Sequence, residues 1–234
     1  MYAPTTLAAG AISRIITVMS LPDLDRPDLP EYMTWEELEQ LPEEVASRIE
    51  LWDGRVVWLR RGPSEHQDAT FAITGALKSC ARQAAANTPE RCWSVSFETN
   101  VFFGSHGKSD FVTPDFLAYR CLERPYQDIR ASDTVLVGEV LSPSNSDAEM
   151  ELKKARYAGA GIPWYWEVEL APTRSEIAHV LIYGLVPDGT PAPGVTVLHR
   201  ANYALAGIWS PQDSATIAID SPFPISIPWL ELEF

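Results

Sequence analysis

Residues 133–145 read DTVLVGEVLSPSN. From Val135 to Leu141 the run is apolar at odd and even positions alike, apart from Gly138 and one acid, which is the pattern of a strand buried on both faces. The acid is Glu139, near the middle of the run. An ionised carboxylate is almost never fully buried without a partner, and an unpaired one costs several kcal/mol or gives up its charge. A cation, a hydrogen-bond donor or solvent must therefore meet Glu139, and which of these it is decides the chemistry of the chain.

Outward from this strand the pattern alternates between helices and strands. Downstream, SNSDAEMELKKARYAGAG (144–161) reads as a helix that stops at its glycines, and IPWYWEVEL (162–170) as another apolar strand. SEIAHVLIYGLV, VTVLHR and ATIAID then read as antiparallel strands separated by Pro/Gly turns. Upstream, TPDFLAYR (113–120) is a strand approached through Pro114, and CWSVSFETNVFF (92–103) a further strand region, with a turn at GSHGKSD between them. From Ser64 to about Ala86, Ala69, Ala72, Ile73, Ala76, Leu77 and Cys80 form an apolar stripe at helical spacing, ended by Asn87-Thr88-Pro89. SRIELWDGRVVWL (47–59) is a hairpin whose Asp53-Gly54 suits a tight primed turn. TWEELEQL opens a short helix, with Thr34 as N-cap and Glu37 completing a capping box. Residues 1–33, rich in proline and acids toward their end, are expected to be a loosely ordered leader and linker, and 34–234 a single domain. The order of elements predicts an α/β fold of the α+β kind, a mixed sheet with few helices.

Composition narrows the function. The chain of 234 residues can bury one sizeable core, and 46% hydrophobic with 21% charged residues is ordinary for a soluble protein. A net charge of −14, from 32 acidic and 18 basic residues, argues against broad non-specific nucleic-acid binding, which rests on many Lys/Arg–phosphate contacts. A local basic groove or a metal-bridged contact stays open. Cys80, Cys92 and Cys121 are an odd number without CxxC spacing, so neither a zinc knuckle nor a disulfide is expected and a reducing, cytoplasmic setting fits. No apolar run approaches the roughly 18 residues of a membrane span.

Two acids occupy comparable places: Asp115 where a strand begins and Glu139 within the next apolar strand. Neighbouring strands lie ~4.8 Å apart, so two such carboxylates can converge on one hard cation. Mg²⁺ takes one or two protein carboxylates and fills its remaining positions with water and substrate phosphate. Lys153 and Lys154 lie on the helix leaving the Glu139 strand, and one ammonium can reach back to hold a hydrolytic water or offset developing phosphoryl charge.

The runs RIELWDG (48–54), EHQ (65–67), TPDFLAY (113–119), VGEVLSPSN (137–145) and ELKKARYAGAGIPWYWEVE (151–169) together resemble the PD-(D/E)XK nuclease superfamily and, within it, the bacterial Uma-type family of restriction endonucleases. The resemblance extends from about Thr34 to the C-terminus. Its most distinctive part is EVLSPS followed by Lys-x-x-x-Tyr-x-x-x-Gly-hydrophobic-Pro-x-Tyr-Trp. It implies a restriction-endonuclease-like core carrying an N-terminal hairpin and C-terminal antiparallel strands. It implies Asp115 and Glu139 as the acids binding Mg²⁺ or Mn²⁺, with Glu50 and His66 as accessory catalytic residues. The superfamily's usual Lys two residues after the Glu is absent, because Leu141 stands there. Lys153, four residues before Tyr157, matches the displaced position better than Lys154. Asn145 stands where Ser or Thr is usual, and Glu169 replaces an Asp.

The expected function is hydrolysis of phosphodiester bonds in nucleic acid, DNA above all, with Asp115→Asn or Lys153→Ala abolishing hydrolysis while the fold stays intact. A homo-oligomer, a dimer by preference, is the expected assembly, with the strands ending in SPFPISIPWLELEF offering a face. Two other classes compete: a catalytically silent binding or assembly protein on the same fold, which the −14 charge favours, and a metal hydrolase of a small phosphoester. Each residue also has a plainer role: Asp115 as a turn acid, Glu139 in a structural salt bridge with Lys153, Glu50 facing water or Arg55, His66 as a packing or capping group. Trp164 and Trp166 read as core rather than as base-stacking platforms, and Arg60, Arg61, Lys78 and Arg82 as groove-lining or scattered surface charge.

Overall fold

The structure, a computed structural model, describes residues 28–59, 62–88, 90–141, 146–186 and 202–234. Two short helices come first, α1 (Trp35–Leu38) and α2 (Glu43–Ala46). The α1 capping box is formed, with the Thr34 hydroxyl accepting from the Glu37 N–H at 3.2 Å and Glu37 accepting from the Thr34 N–H at 2.8 Å. Strands β1 (Ile49–Trp52) and β2 (Arg55–Trp58) pair as a hairpin. Its turn residues Asp53 and Gly54 both have positive φ, 53° and 82°, as a type I′ turn requires. Helix α3 (Ser64–Asn87) buries the expected stripe, with Ala69, Ile73 and Leu77 fully inside.

The next strands are β3 (Trp93–Phe97), β4 (Val101–Phe102), β5 (Phe111–Val112), β6 (Phe116–Arg120), β7 (Ile129–Arg130) and β8 (Thr134–Leu141). Helix α4 (Asp147–Gly159) crosses from β8 to the parallel strand β9 (Trp164–Leu170). The chain ends with β10 (Ile177–Val186), β11 (Asn202–Trp209), β12 (Thr216–Ile219), β13 (Ile225–Pro228) and a 3₁₀ turn at Trp229–Leu232. Three sheets result among the described residues. One has the order β11-β10-β9-β8-β6-β3, one β2-β1-β5-β4-β7, and β12-β13 form a hairpin of their own. Each larger sheet is mixed, parallel only at β8-β9 and at β4-β7.

These elements stack in layers. Helix α3 and the β12-β13 hairpin cover one face of the six-stranded sheet, in a core that includes Ile73, Leu77, Phe116, Trp166, Ile217 and Ile227. The other face meets α4 and the five-stranded sheet across Trp52, Val112, Leu117, Val137, Tyr157 and Tyr165. The outer face of the five-stranded sheet is closed by Met33, Leu38 and their neighbours from the N-terminal segment. β8 therefore has cover on both sides, which is why its residues are apolar at both parities.

Several expectations need correction. The region CWSVSFETNVFF is two strands in different sheets, broken at Glu98, whose φ is +42°. Helix α2 and the two-residue strands β5 and β7 were not anticipated; such short elements carry too few residues to show a period. The expected strand VTVLHR, Arg60, Arg61 and the leader up to residue 27 lie outside the described residues. Cys92 and Cys121 form a disulfide, contrary to the expectation of none. The β3-β6 register pairs Trp93 with Arg120, so the two cysteines stand opposite each other just beyond it, with Cα atoms 5.3 Å apart. Count and spacing could not show this, because the pairing belongs to the sheet. No helix among the described residues is long and apolar enough to cross a membrane.

Candidate active site

Strand alternation aims two carboxylates at each other across the interval between the large sheets. On β1, Ile49 and Leu51 join the outer core and Trp52 the inner one, so Glu50 shares the inward direction with Trp52. On β8, Leu136 and Val140 face the α3 side and Val137 the α4 side, so Glu139 looks toward α4. Glu50 is 0% exposed and Glu139 4%. Helix α4, whose Ser146–Glu149 capping box sets its start, carries Lys153 into the gap. The Lys153 Nζ lies 2.9 Å from Glu139 Oε1 and 3.0 Å from its Oε2, and 3.3 Å from Glu50 Oε1. Glu139 is thus met by a cation and by a donor, since the Tyr157 hydroxyl donates to Oε1 at 2.5 Å.

Glu50 is anchored independently. Its Oε2 accepts from the Trp52 indole N–H at 2.7 Å and its Oε1 from the Thr113 N–H at 2.8 Å. Arg55, the plainer partner, instead reaches Glu31 at 3.8 Å. Asp115, two residues after Thr113, uses Oδ2 to accept from the Val140 N–H at 2.7 Å and to meet His66 Nε2 at 3.1 Å. His66 sits in the first turn of α3, largely buried, and its Nδ1 has no partner among the described residues. Gly62 makes this ring position possible, because a Cβ there would fall 2.5 Å from the imidazole Cγ.

The electrostatics follow from burial and mutual proximity. Burial raises the Glu139 carboxyl from 4.5 to about 8, against the Lys153 ammonium and with the Asp115 charge adding to the rise. Burial pulls Lys153 toward losing its proton, but the charges of Glu139, Glu50 and Asp115 outweigh it and hold the ammonium protonated. For His66, burial likewise favours the neutral ring, and the hydrogen bond and charge of Asp115, helped by Glu139 and Glu98, raise its pKa overall.

All five expected site residues, Asp115, Glu139, Lys153, Glu50 and His66, therefore meet in two linked groups joined through β8. Tyr157, Trp52 and Thr113 were not anticipated as their partners. Tyr157 was readable, since i and i+4 put it on the Lys153 face of a helix. A further pair lies alongside. Glu167 on β9 is the Cα partner of Glu139, nearly buried, and Lys154 Nζ lies 2.8 Å from it and 2.8 Å from Glu151. Tyr183 and Tyr165 donate to Glu167 at 2.8 and 3.2 Å. An acid flanked by apolar residues in WYWEV is the same signal that marks Glu139. The other expectations are plain surface or core: Trp166 is fully buried and Lys78 lies over the exposed Phe97 ring at 5.8 Å.

The donor set bears on which cation it suits. Asp115 and Glu139 offer hard oxygens without a thiolate, as Mg²⁺ or Mn²⁺ requires. Among the described residues Asp115 Oδ1 accepts no hydrogen bond. Among the described residues no group of three or more His, Cys, Asp or Glu side chains that could hold a metal ion occurs; Mg²⁺ typically takes one or two protein carboxylates and completes its shell with water and phosphate. The residues fit such an ion.

The family model described as "Uma2: Putative restriction endonuclease" matches residues 35–219. No curated protein matches. Among four solved chains that match is the crystal structure of "a putative nuclease belonging to DUF820" from Anabaena variabilis ATCC 29413, with 17% identity, a TM-score of 0.51, and 86% of this chain and 97% of that chain covered. At that identity the likeness shows a shared fold.

Proposed function

The chain belongs to the Uma2 family, and from that premise we propose that it is a metal-dependent nuclease hydrolysing phosphodiester bonds, with DNA as the substrate. The observation that carries the reading is the buried Lys153 ammonium between Glu139 and Glu50, with Asp115 immediately before the neighbouring strand β6. Asp115 and Glu139 would hold Mg²⁺ or Mn²⁺, which when bound supplies a Lewis acid for the phosphoryl oxygen and an acidified water. Lys153 is kept charged and largely shielded from solvent, where an ammonium offsets developing negative charge more strongly than in water. Glu50 holds Lys153 in place through its own bonds to Trp52 and Thr113. His66, with a pKa raised from 6.5, has its Nε2 on Asp115 and is suited to moving a proton near neutrality.

A second reading has its own support. Both Glu139 oxygens are already engaged by Lys153 and Tyr157, as in a structural ion pair on a catalytically silent nuclease fold. Calorimetry with millimolar Mn²⁺ separates the two. Binding by wild type that Asp115→Asn and Glu139→Gln both remove, together with plasmid cleavage lost in Asp115→Asn, is the expected result. No binding at millimolar ion, or full cleavage by Asp115→Asn, overturns the proposal.

A further inference from the structure

Between the β3 edge of the six-stranded sheet and the end of the five-stranded sheet lies an open cleft of about 790 Å³, a volume within the usual range for small-ligand sites. Its back wall is hydrogen-bonded to the candidate active site. Asn100, which lines it, accepts from the Thr113 hydroxyl at 2.8 Å, and the Thr113 N–H is the donor to Glu50. Glu98, also in the lining, donates its N–H to the Asp115 carbonyl at 3.1 Å.

We infer that this cleft binds an unpaired nucleobase, stacked on Tyr126, next to the site of phosphodiester hydrolysis. The inference rests on the nuclease reading above and narrows its substrate to nucleic acid with a single-stranded or extruded nucleotide. Tyr126 lines the cleft from the 121–128 loop, is 106% exposed, and has φ +60°. A large aromatic residue with no packing and a left-handed backbone is uncommon in a loop with only a structural role. Around it the polar groups are mostly neutral. The Gln127 amide and the Asn100 NH₂ have no partner among the described residues, and such amides match the donor and acceptor edges of bases. The cleft carboxylates Glu98 and Asp128 are engaged by Gln67 and Lys108 at 2.9 Å each, leaving Glu123 at the rim. Arg124 has no ion pair among the described residues and offers one guanidinium for the attached phosphate. An aromatic face, free amides and one cation fit a base and its phosphate. They do not fit a long polyanionic backbone, which the −14 charge repels.

Tyr126 is fully exposed, so its replacement leaves the core untouched. Fluorescence anisotropy with a labelled single-stranded oligodeoxynucleotide, in an Asp115→Asn background that prevents cleavage, should show Tyr126→Ala binding about tenfold or more weaker than its parent. Tyr126→Phe, which keeps the ring, should bind like the parent, and an oligonucleotide made abasic throughout should bind weakly to it. Equal affinity of Tyr126→Ala, or equal affinity for the abasic strand, overturns the nucleobase site. If wild type still cleaves plasmid in that case, the nuclease reading survives without it. Neither cleavage nor oligonucleotide binding removes both.

Discussion

At the scale of single residues, Lys153 links structure to chemistry. It stands between two carboxyl groups that are almost without exposure, so removing it leaves both buried without their shared cation. Lys153→Met should lower stability by about 3–5 kcal/mol in urea unfolding, the cost of breaking a buried pair from one side, whereas Asp115→Asn should cost far less because Asp115 is partly accessible. Loss of activity in a Lys153 variant is therefore not separable from loss of fold, and the expectation that Lys153→Ala leaves the fold intact does not follow from its surroundings. An equal, small effect of both substitutions would refute the bridging role. Glu139 supplies a pH test. Its pKa rises from 4.5 to about 8 on folding, so between these values the folded chain keeps a proton that the unfolded chain has released. Its contribution to stability is full below the lower value and is lost as pH rises to the upper one. Glu139→Gln should flatten that decline between pH 5 and 8; an unchanged slope would show that Glu139 ionises normally.

At the scale of elements, the site depends on how β8 is packed. Gly138, beside Glu139, lies opposite Phe116 on β6, and a Cβ there would come within 2.0 Å of the Phe116 ring. Gly138→Ala should cost about 1–3 kcal/mol through overpacking and shift Glu139 relative to Asp115, read as a lower denaturant midpoint with weaker Mn²⁺ binding. Unaltered stability would mean that Phe116 can move aside. The periods of α3, α4, β8 and β9 were legible because each runs long enough to show its apolar pattern. The break at Glu98 was not, since no proline or glycine marks it, and only the separation of the two sheets forces it.

At the scale of the whole molecule, two sheets pack on each other and bring β1, β8 and α4 to one place. The Cys92–Cys121 bond joins residues separated by 29 in sequence, closing a loop that runs from β3 to β6 and ends beside the cleft. Under oxidising conditions, replacing both cysteines by serine should lower stability by about 2–4 kcal/mol, checked by urea unfolding with and without reductant. Wild type that is insensitive to reductant would show that the pair contributes no cross-link in solution. The acidic surface also sets how any substrate is held. With −14 to overcome, binding has to come from a few specific contacts, not from a broad field.

The sequence by itself determined the local elements and singled out the chemistry. A carboxylate inside a doubly buried strand needs a partner on energetic grounds alone, and a lysine on the next helix is near enough in the chain to be one. Glu50 and His66 entered only by resemblance, because nothing in RIEL or EHQ says which way those side chains point. The tertiary structure decided that Glu50 turns inward to share Lys153, that Lys154 serves Glu167 instead, that Cys92 meets Cys121, and that a cleft opens behind Asn100. Each of these depends on strand register and sheet-on-sheet packing between residues far apart in the chain, and a one-residue slip in register would send every such side chain to the opposite face.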